Sequence, residues 1–274
     1  MKNKHGIGRI IKFVCLSAFF LLYVAPFLLI VVNSFKSKDE IVANPLKLPT
    51  HLSFSNYTQA YSIMNFSSAF VNTLIITVLS VVVVIVLAAM TAYLYARKDW
   101  KINKFFFFFM VAAMIIPFQA IMIPLVKIYG SMHMLNRWTL IFMYAGFGAP
   151  MAVFMYHGFI KSIPIELEEA ATIDGASTLQ TFWLIIFPLL RPITATMVIL
   201  DVLWFWNDYL LPSLVLVPID QRTITLSTFY FYGTYTVQYD LAMAGLVISI
   251  LPVLIMYVFL QKQIIKGVMQ GAVK

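Results

Sequence analysis

The chain has 274 residues, of which 62% are apolar, 16% aromatic and only 11% charged. Soluble domains run about 45–50% apolar and about 25% charged, so this composition excludes an ordinary water-soluble fold and points to lipid as the solvent. A formal net charge of +8 on so sparsely charged a chain fits cationic loops on one side of a membrane. It does not fit a nucleic-acid surface, because no Lys/Arg stripe runs beyond those loops.

A helix crossing a hydrocarbon core of about 30 Å needs about 20 mostly apolar residues. Six segments meet that length, at about 11–33, 70–96, 105–126, 138–160, 189–212 and 241–261. The expected class is therefore all-α, a single polytopic membrane domain over residues 1–274. The first span follows a basic tail (Lys2, Lys4, Arg9, Lys12) that looks like a signal peptide. Its apolar run is too long for one, and Asn33-Ser34-Phe35 offers no small-x-small cleavage site, so a retained signal-anchor is expected. Cys15, the one cysteine, has no thiol to pair with and reads as a small apolar residue.

Basic residues set the orientation. With the N-terminus inside, six of the 19 Lys and Arg (Lys36, Lys38, Lys47, Lys127, Arg137, Arg222) lie outside and the other thirteen lie inside. The short loops carry the bias, which predicts N-in and C-in.

The outer connection 34–69 carries Asn44-Pro45, Leu48-Pro49 and Ser53-Phe54-Ser55-Asn56-Tyr57, which predicts turns followed by a short interfacial helix. Phe105 to Phe109 read as lipid-facing bulk. The later outer connection 213–240 clusters Tyr230, Tyr232, Tyr235 and Tyr239 around Gly233. That is either an aromatic belt at the headgroups or a protein contact surface.

Between the fourth and fifth spans lies an acidic hairpin, residues 162–187. Ser162 and Pro164 suit a helix start, and Glu166, Glu168 and Glu169 suit the positive end of its dipole. Asp174-Gly175 ends that helix, and Ser177-Thr178-Leu179-Gln180 is a capping-box pattern that opens the next. Ala170 and Ala171 are small enough to admit a close partner. A polar hairpin of this build can carry the motion of a docked protein into the flanking spans.

Within the fifth span Asp201, Trp206, Asn207 and Asp208 are the polar and amphipathic candidates. Charge in a span is costly. The seven-residue spacing of Asp201 and Asp208 places both on one face of a continuous helix. That face either lines a polar path or bonds helices of a partner subunit. Asn72, Gln119 and Thr194 are weaker lining candidates, and Pro117, Pro124 and Pro150 mark helix breaks or kinks. His133 and His157 have no ligand partners, so no metal site is expected.

Glu169-Ala170-Ala171, Gly175 after three intervening residues, then Ile185 and Pro188 resemble the EAA loop of ABC-importer permeases. Phe187 stands where that family often has leucine. Ile173-Asp174-Gly175-Ala176, Trp206-Asn207-Asp208 and the ending Gln261-Lys262 to Gly271-Ala272-Val273-Lys274 are similar to the carbohydrate-importing, maltose-type branch. The resemblance covers about residues 10–274. It implies an ABC type I importer permease fold in a prokaryotic cell membrane. It also implies that Glu168, Glu169, Ala170, Ala171, Asp174, Gly175 and Ala176 couple to a separate ATP-binding cassette ATPase dimer.

The resemblance further implies a second permease chain, usually a different one, and an extracellular or periplasmic sugar-binding protein. No G-x-x-x-x-G-K-[ST] occurs, so no cofactor is expected in this chain, with ATP and Mg on the ATPase. The other readings are an ABC permease for another small solute and a secondary transporter. The latter would need an internal pseudo-symmetric repeat with broken helices in both halves, and the absence of a copy of the acidic hairpin from the N-terminal half argues against one. A membrane enzyme would need a His/Asp/Glu cluster that the sequence lacks.

Overall fold

The computed structural model describes residues 4–233 and 237–272. Tyr235 and the terminal Val273-Lys274 therefore lie outside the described residues. The first helices in chain order are α1 (Lys4–Asn33), α2 (Lys38–Ala43), α3 (Ser55–Ile63) and α4 (Phe66–Arg97). Next come α5 (Lys101–Ala113), α6 (Phe118–Ser131), α7 (Arg137–Ile160) and α8 (Glu166–Ile173). Then follow α9 (Thr178–Leu189), α10 (Arg191–Asn207), α11 (Leu210–Val215), α12 (Ile224–Ser227) and α13 (Tyr239–Ala272).

Among the described residues four helices are long and apolar enough to cross a membrane, and up to six spans result if each of two bent pairs counts as one. The expected third span, 105–126, is one of those pairs. The last residues of α5 tighten into three-residue turns, with Met114, Ile115 and Ile116 donating to Val111, Ala112 and Ala113. Pro117 lacks an N–H and sits in extended backbone, so the helix cannot continue, and α6 leaves at 104°. The other pair is α9 and α10, bent by 75° at Leu190. Pro124 and Pro150, by contrast, lie inside continuous helices.

The expected fifth span, 189–212, breaks after Asn207. Asp208 has extended backbone and Leu210 starts a new helix. Asp201 and Asp208 consequently do not share a helix face, because the helix that would align them ends between them.

The described residues fall into two compact units. One comprises residues 1–66 and 227–254. Its first connection is ordered by a buried ammonium: Lys36 is 1% exposed and donates to Asn33 Oδ1 (2.9 Å) and to the carbonyls of Asn44 and Pro45 (3.2 Å each). The Asn56 amide donates to the carbonyls of Ser34 and Lys36. Ser37 and Glu40 form a capping box at the start of α2, and two short helices, not one, fill this connection. Gly245 of α13 is needed for close packing, since a Cβ there would meet Phe231 Cε2 at 2.6 Å.

The second unit comprises residues 67–226 and 255–274. Its core is a seam of α4, α7 and α10. On α4 the buried residues Ile76, Ser80, Val84, Ala88 and Ala92 recur every fourth position, one stripe of a helix. The other faces of α4 carry exposed Val71, Val78, Val82 and Leu87, as a lipid-facing helix requires. Gly148 of α7 faces both of the other helices. A Cβ there would meet Val84 Cγ2 at 3.1 Å and Phe205 Cζ at 3.3 Å.

Candidate functional site

The acidic hairpin is built by local rules on its far side and by a tertiary contact on its near side. Ser162 does not cap α8. Its hydroxyl donates back to the Phe159 carbonyl, and the helix opens at Glu166 on an Ile165 cap with no side-chain hydrogen bond. The end of α8 follows expectation. Gly175 has φ +84°, with its N–H on the Thr172 carbonyl (3.0 Å) and the Ala176 N–H on the Ala171 carbonyl (2.9 Å). That pair of bonds is a Schellman stop, for which glycine is the favoured residue. Ser177 then opens α9 with the expected reciprocal bonds to Gln180. One turn of π-helix, Phe182–Ile186, follows.

The candidate coupling residues divide into two groups. Glu168 faces its own chain: its Oε1 takes Arg97 Nε at 2.6 Å and its Oε2 takes the Tyr93 hydroxyl at 2.7 Å. Arg97 Nη2 also donates to the Ile163 carbonyl at 2.9 Å. Ala171 is buried beside this junction, and Ala176 is half-buried. Glu169, Ala170, Asp174 and Gly175 are exposed. With them, at the end of α8, stands Ile173, 86% exposed, and Leu179 and Leu184 of α9 are exposed as well. The outward surface is thus apolar and acidic together.

Arg97 and Tyr93 were not singled out from the sequence. The available signal was a basic residue closing a long apolar run, which had been assigned only to the charge balance of the loops.

The polar candidates of the fifth span separate. Asp201 is 3% exposed, and its Oδ2 has no hydrogen-bond partner among the described residues. One turn before Phe205, it belongs to the packed seam. Trp206 is buried, its ring 6.1 Å from Phe70 and its carbonyl accepting from the Thr225 hydroxyl. Asn207 is exposed and its amide donates to the Leu203 carbonyl. Asp208 alone lines a cavity of about 770 Å³ that also includes Gln119 of α6 and Trp204 of α10. Its Oδ2 accepts the Tyr144 hydroxyl at 2.9 Å and its Oδ1 the Leu210 N–H at 3.1 Å.

The remaining candidates are absorbed by structure. Asn72 bonds the carbonyls of Asp220 and Arg222 and accepts from Arg137, while Thr194 accepts from Tyr156. His157 packs on Phe107 at 4.1 Å. No group of three or more His, Cys, Asp or Glu among the described residues could hold a metal.

Residues 84–270 match the family described as binding-protein-dependent transport system inner membrane component. Among curated relatives, the "Probable starch degradation products transport system permease protein AmyC" of Thermoanaerobacterium thermosulfurigenes is 48% identical over 254 residues, 93% of each chain. The multiple sugar-binding transport system permease protein MsmG of Streptococcus mutans serotype c is 35% identical over the full length of both chains. The melibiose/raffinose/stachyose import permease protein MelC of Bacillus subtilis is 36% identical over 91% of both. In fold, the chain superposes on one from a bacterial ABC transporter involved in alginate import, with TM-score 0.79 and 23% identity, covering 96% of this chain and 98% of that one. The chain therefore belongs to the binding-protein-dependent transport system inner membrane components, and is a multi-pass protein of a prokaryotic cell membrane that is not itself an enzyme.

Proposed function

We propose that this chain is one permease subunit of an ATP-driven oligosaccharide importer, oriented N-in and C-in, acting as a single membrane domain over residues 1–274. The hairpin 162–187 projects into the cytoplasm and seats on a separate ATPase dimer. A second permease chain completes the path, and an external sugar-binding protein delivers the solute. Carbohydrate is supported by the relatives named for starch degradation products, multiple sugars and melibiose/raffinose/stachyose.

One observation carries the coupling role. The inner side of α8 is clamped to the end of α4 by Arg97 and Glu168, while Ile173 at its tip is fully presented beside a glycine stop. A surface isoleucine flanked by Glu169 and Asp174 is an apolar anchor with an acidic rim, the anatomy of a protein contact. The clamp makes α8 move with α4 and not independently of it.

The test uses the assembled importer. On a Cys15→Ala background, Ile173→Cys should resist a membrane-impermeant thiol reagent applied to intact cells, and a short bismaleimide should join it to the copurified ATPase. Labelling from outside, or repeated failure to capture the ATPase, overturns the assignment.

A further inference from the structure

Two helix breaks converge on the cavity beside Asp208. Met114 and Ile116, from the break between α5 and α6, line it, and so do Asp208, Leu210 and Leu211, from the break between α10 and α11. Irregular backbone within an apolar layer is tolerated where protein buries it or where it borders an aqueous cavity. Discontinuous helices are also where transporters expose backbone and side-chain groups to solute. At about 770 Å³ the space falls in the range of small-molecule sites, roughly 300–1,000 Å³.

Its lining has a definite chemistry. Trp204 is 45% exposed and offers an aromatic face, and Phe118 stands edge-on to Phe147 at 5.4 Å. Gln119 is exposed and offers two donors and an acceptor. Asp208 accepts from Tyr144 and Leu210, with the Tyr209 and Leu211 N–H groups also bonded to its carboxylate, and it brings a negative charge to the lining. No Lys, Arg or His lines the cavity. Aromatic faces with a few hydroxyl-bonding groups suit a sugar ring, apolar on its C–H faces and polar around its rim. A lone carboxylate with no cation beside it repels a second carboxylate.

We propose that this cavity is a subsite for one ring of a neutral oligosaccharide, with Gln119 bonding hydroxyls, Trp204 stacking on the ring and Asp208 setting the charge of the lining, and that it discriminates against uronic acids. The inference rests on the importer reading above and adds the charge class of the solute and where this chain touches it.

The experiment is uptake by the complete reconstituted importer, with maltotriose and raffinose as neutral probes and trigalacturonate as the acidic one. Gly146 borders the cavity, and a Cβ there would meet nothing within 4 Å, so Gly146→Phe starts a bulky side chain from open space at the cavity wall. Gly146→Phe should raise the KM for the transported neutral sugar by tenfold or more. Trp204→Ala should raise it about tenfold, the effect of one lost ring contact. Gln119→Leu should raise it several-fold, and Asp208→Asn should relax the exclusion of trigalacturonate. Asp208→Asn also disturbs the start of α11, so the Gly146 and Trp204 variants decide the matter. Unchanged KM in both overturns the subsite while leaving the importer reading intact. Loss of the partner permease from purified Gly146→Phe complexes assigns the cavity to a subunit contact and equally overturns it. Failure of the parent importer to take up either neutral sugar overturns the importer reading and the subsite together.

Discussion

Arg97, the last residue of α4, and Glu168, in the first turn of α8, meet at 2.6 Å although 71 residues of chain separate them. Both side chains are nearly nine-tenths buried. The pair therefore escapes most of the solvent screening that makes surface ion pairs worth about 0–1 kcal/mol. It falls short of the 3–5 kcal/mol seen on breaking fully buried pairs. About 2–3 kcal/mol of hairpin docking is a reasonable midpoint. Glu168→Gln or Arg97→Met should leave insertion intact, speed hydrogen exchange across 166–174, and lower sugar moved per ATP hydrolysed. The exchange Arg97→Glu with Glu168→Arg should recover part of the loss. Singles with parental exchange and transport stoichiometry would show that the clamp does not transmit motion.

Gly175 separates backbone strain from steric clash. At φ +84° an L-residue is strained by about 1–2 kcal/mol, yet a Cβ there meets nothing of this chain within 4 Å. Asparagine tolerates this conformation better than alanine or valine. If the turn matters only as a helix stop, transport should fall in the order Gly, Asn, Ala, Val. If the open space at Gly175 is occupied by a docked ATPase, Asn should be as damaging as Val. Uptake measured across the four residues, at equal amounts of membrane-inserted protein, distinguishes the two.

The end of α8 and the start of α9 were legible because both depend on neighbours a few residues away: Gly175 supplies a backbone angle, and Ser177 and Gln180 bond each other. The start of α8 was misread because Ser162 has a competing local acceptor at Phe159. Run lengths found the apolar segments and Pro117 marked the 104° break, but Pro124 and Pro150 carried the same mark and lie inside continuous helices, since only Pro117 follows a turn already tightened by its neighbours. Asp201 and Asp208 were paired by helical spacing, and the pairing failed because the helix stops at Asn207. Contacts between distant segments, such as Tyr93 and Arg97 with Glu168 or Tyr144 with Asp208, carry no periodic signature. Only the folded chain displays them.

Gly148 tests the helix seam. An added methyl would press on Val84 and Phe205, at 3.1 and 3.3 Å, in a core where overpacking costs about 1–3 kcal/mol. Gly148→Ala should lower the unfolding temperature of the detergent-solubilised protein, and Gly148→Leu should prevent accumulation. Adding Val84→Ala to Gly148→Ala removes the nearer clash and should restore part of the loss, a coupling expected of residues in contact. Strict additivity would mean that the seam relaxes elsewhere.

Lys36 makes a further prediction from an uncommon arrangement, a buried ammonium whose partners are all neutral. Its three donors match the Asn33 side-chain oxygen and the carbonyls of Asn44 and Pro45. Those dipoles hold the charge, and the Glu40 carboxylate is near enough to attract it. Lys36→Met keeps the length of the side chain but removes the donor that ties the two carbonyls to Asn33, a net loss of about 0.5–1.5 kcal/mol for each bond since both residues are exposed to water. The connection should loosen and water should enter. Limited proteolysis of right-side-out vesicles should then cut within 37–54 in Lys36→Met faster than in the parent, while Lys47→Met, on an exposed charge, should not change the rate. Equal rates for the two variants would mean that the ammonium is incidental to the order of this loop and that the Asn56 bonds to Ser34 and Lys36 suffice to hold it.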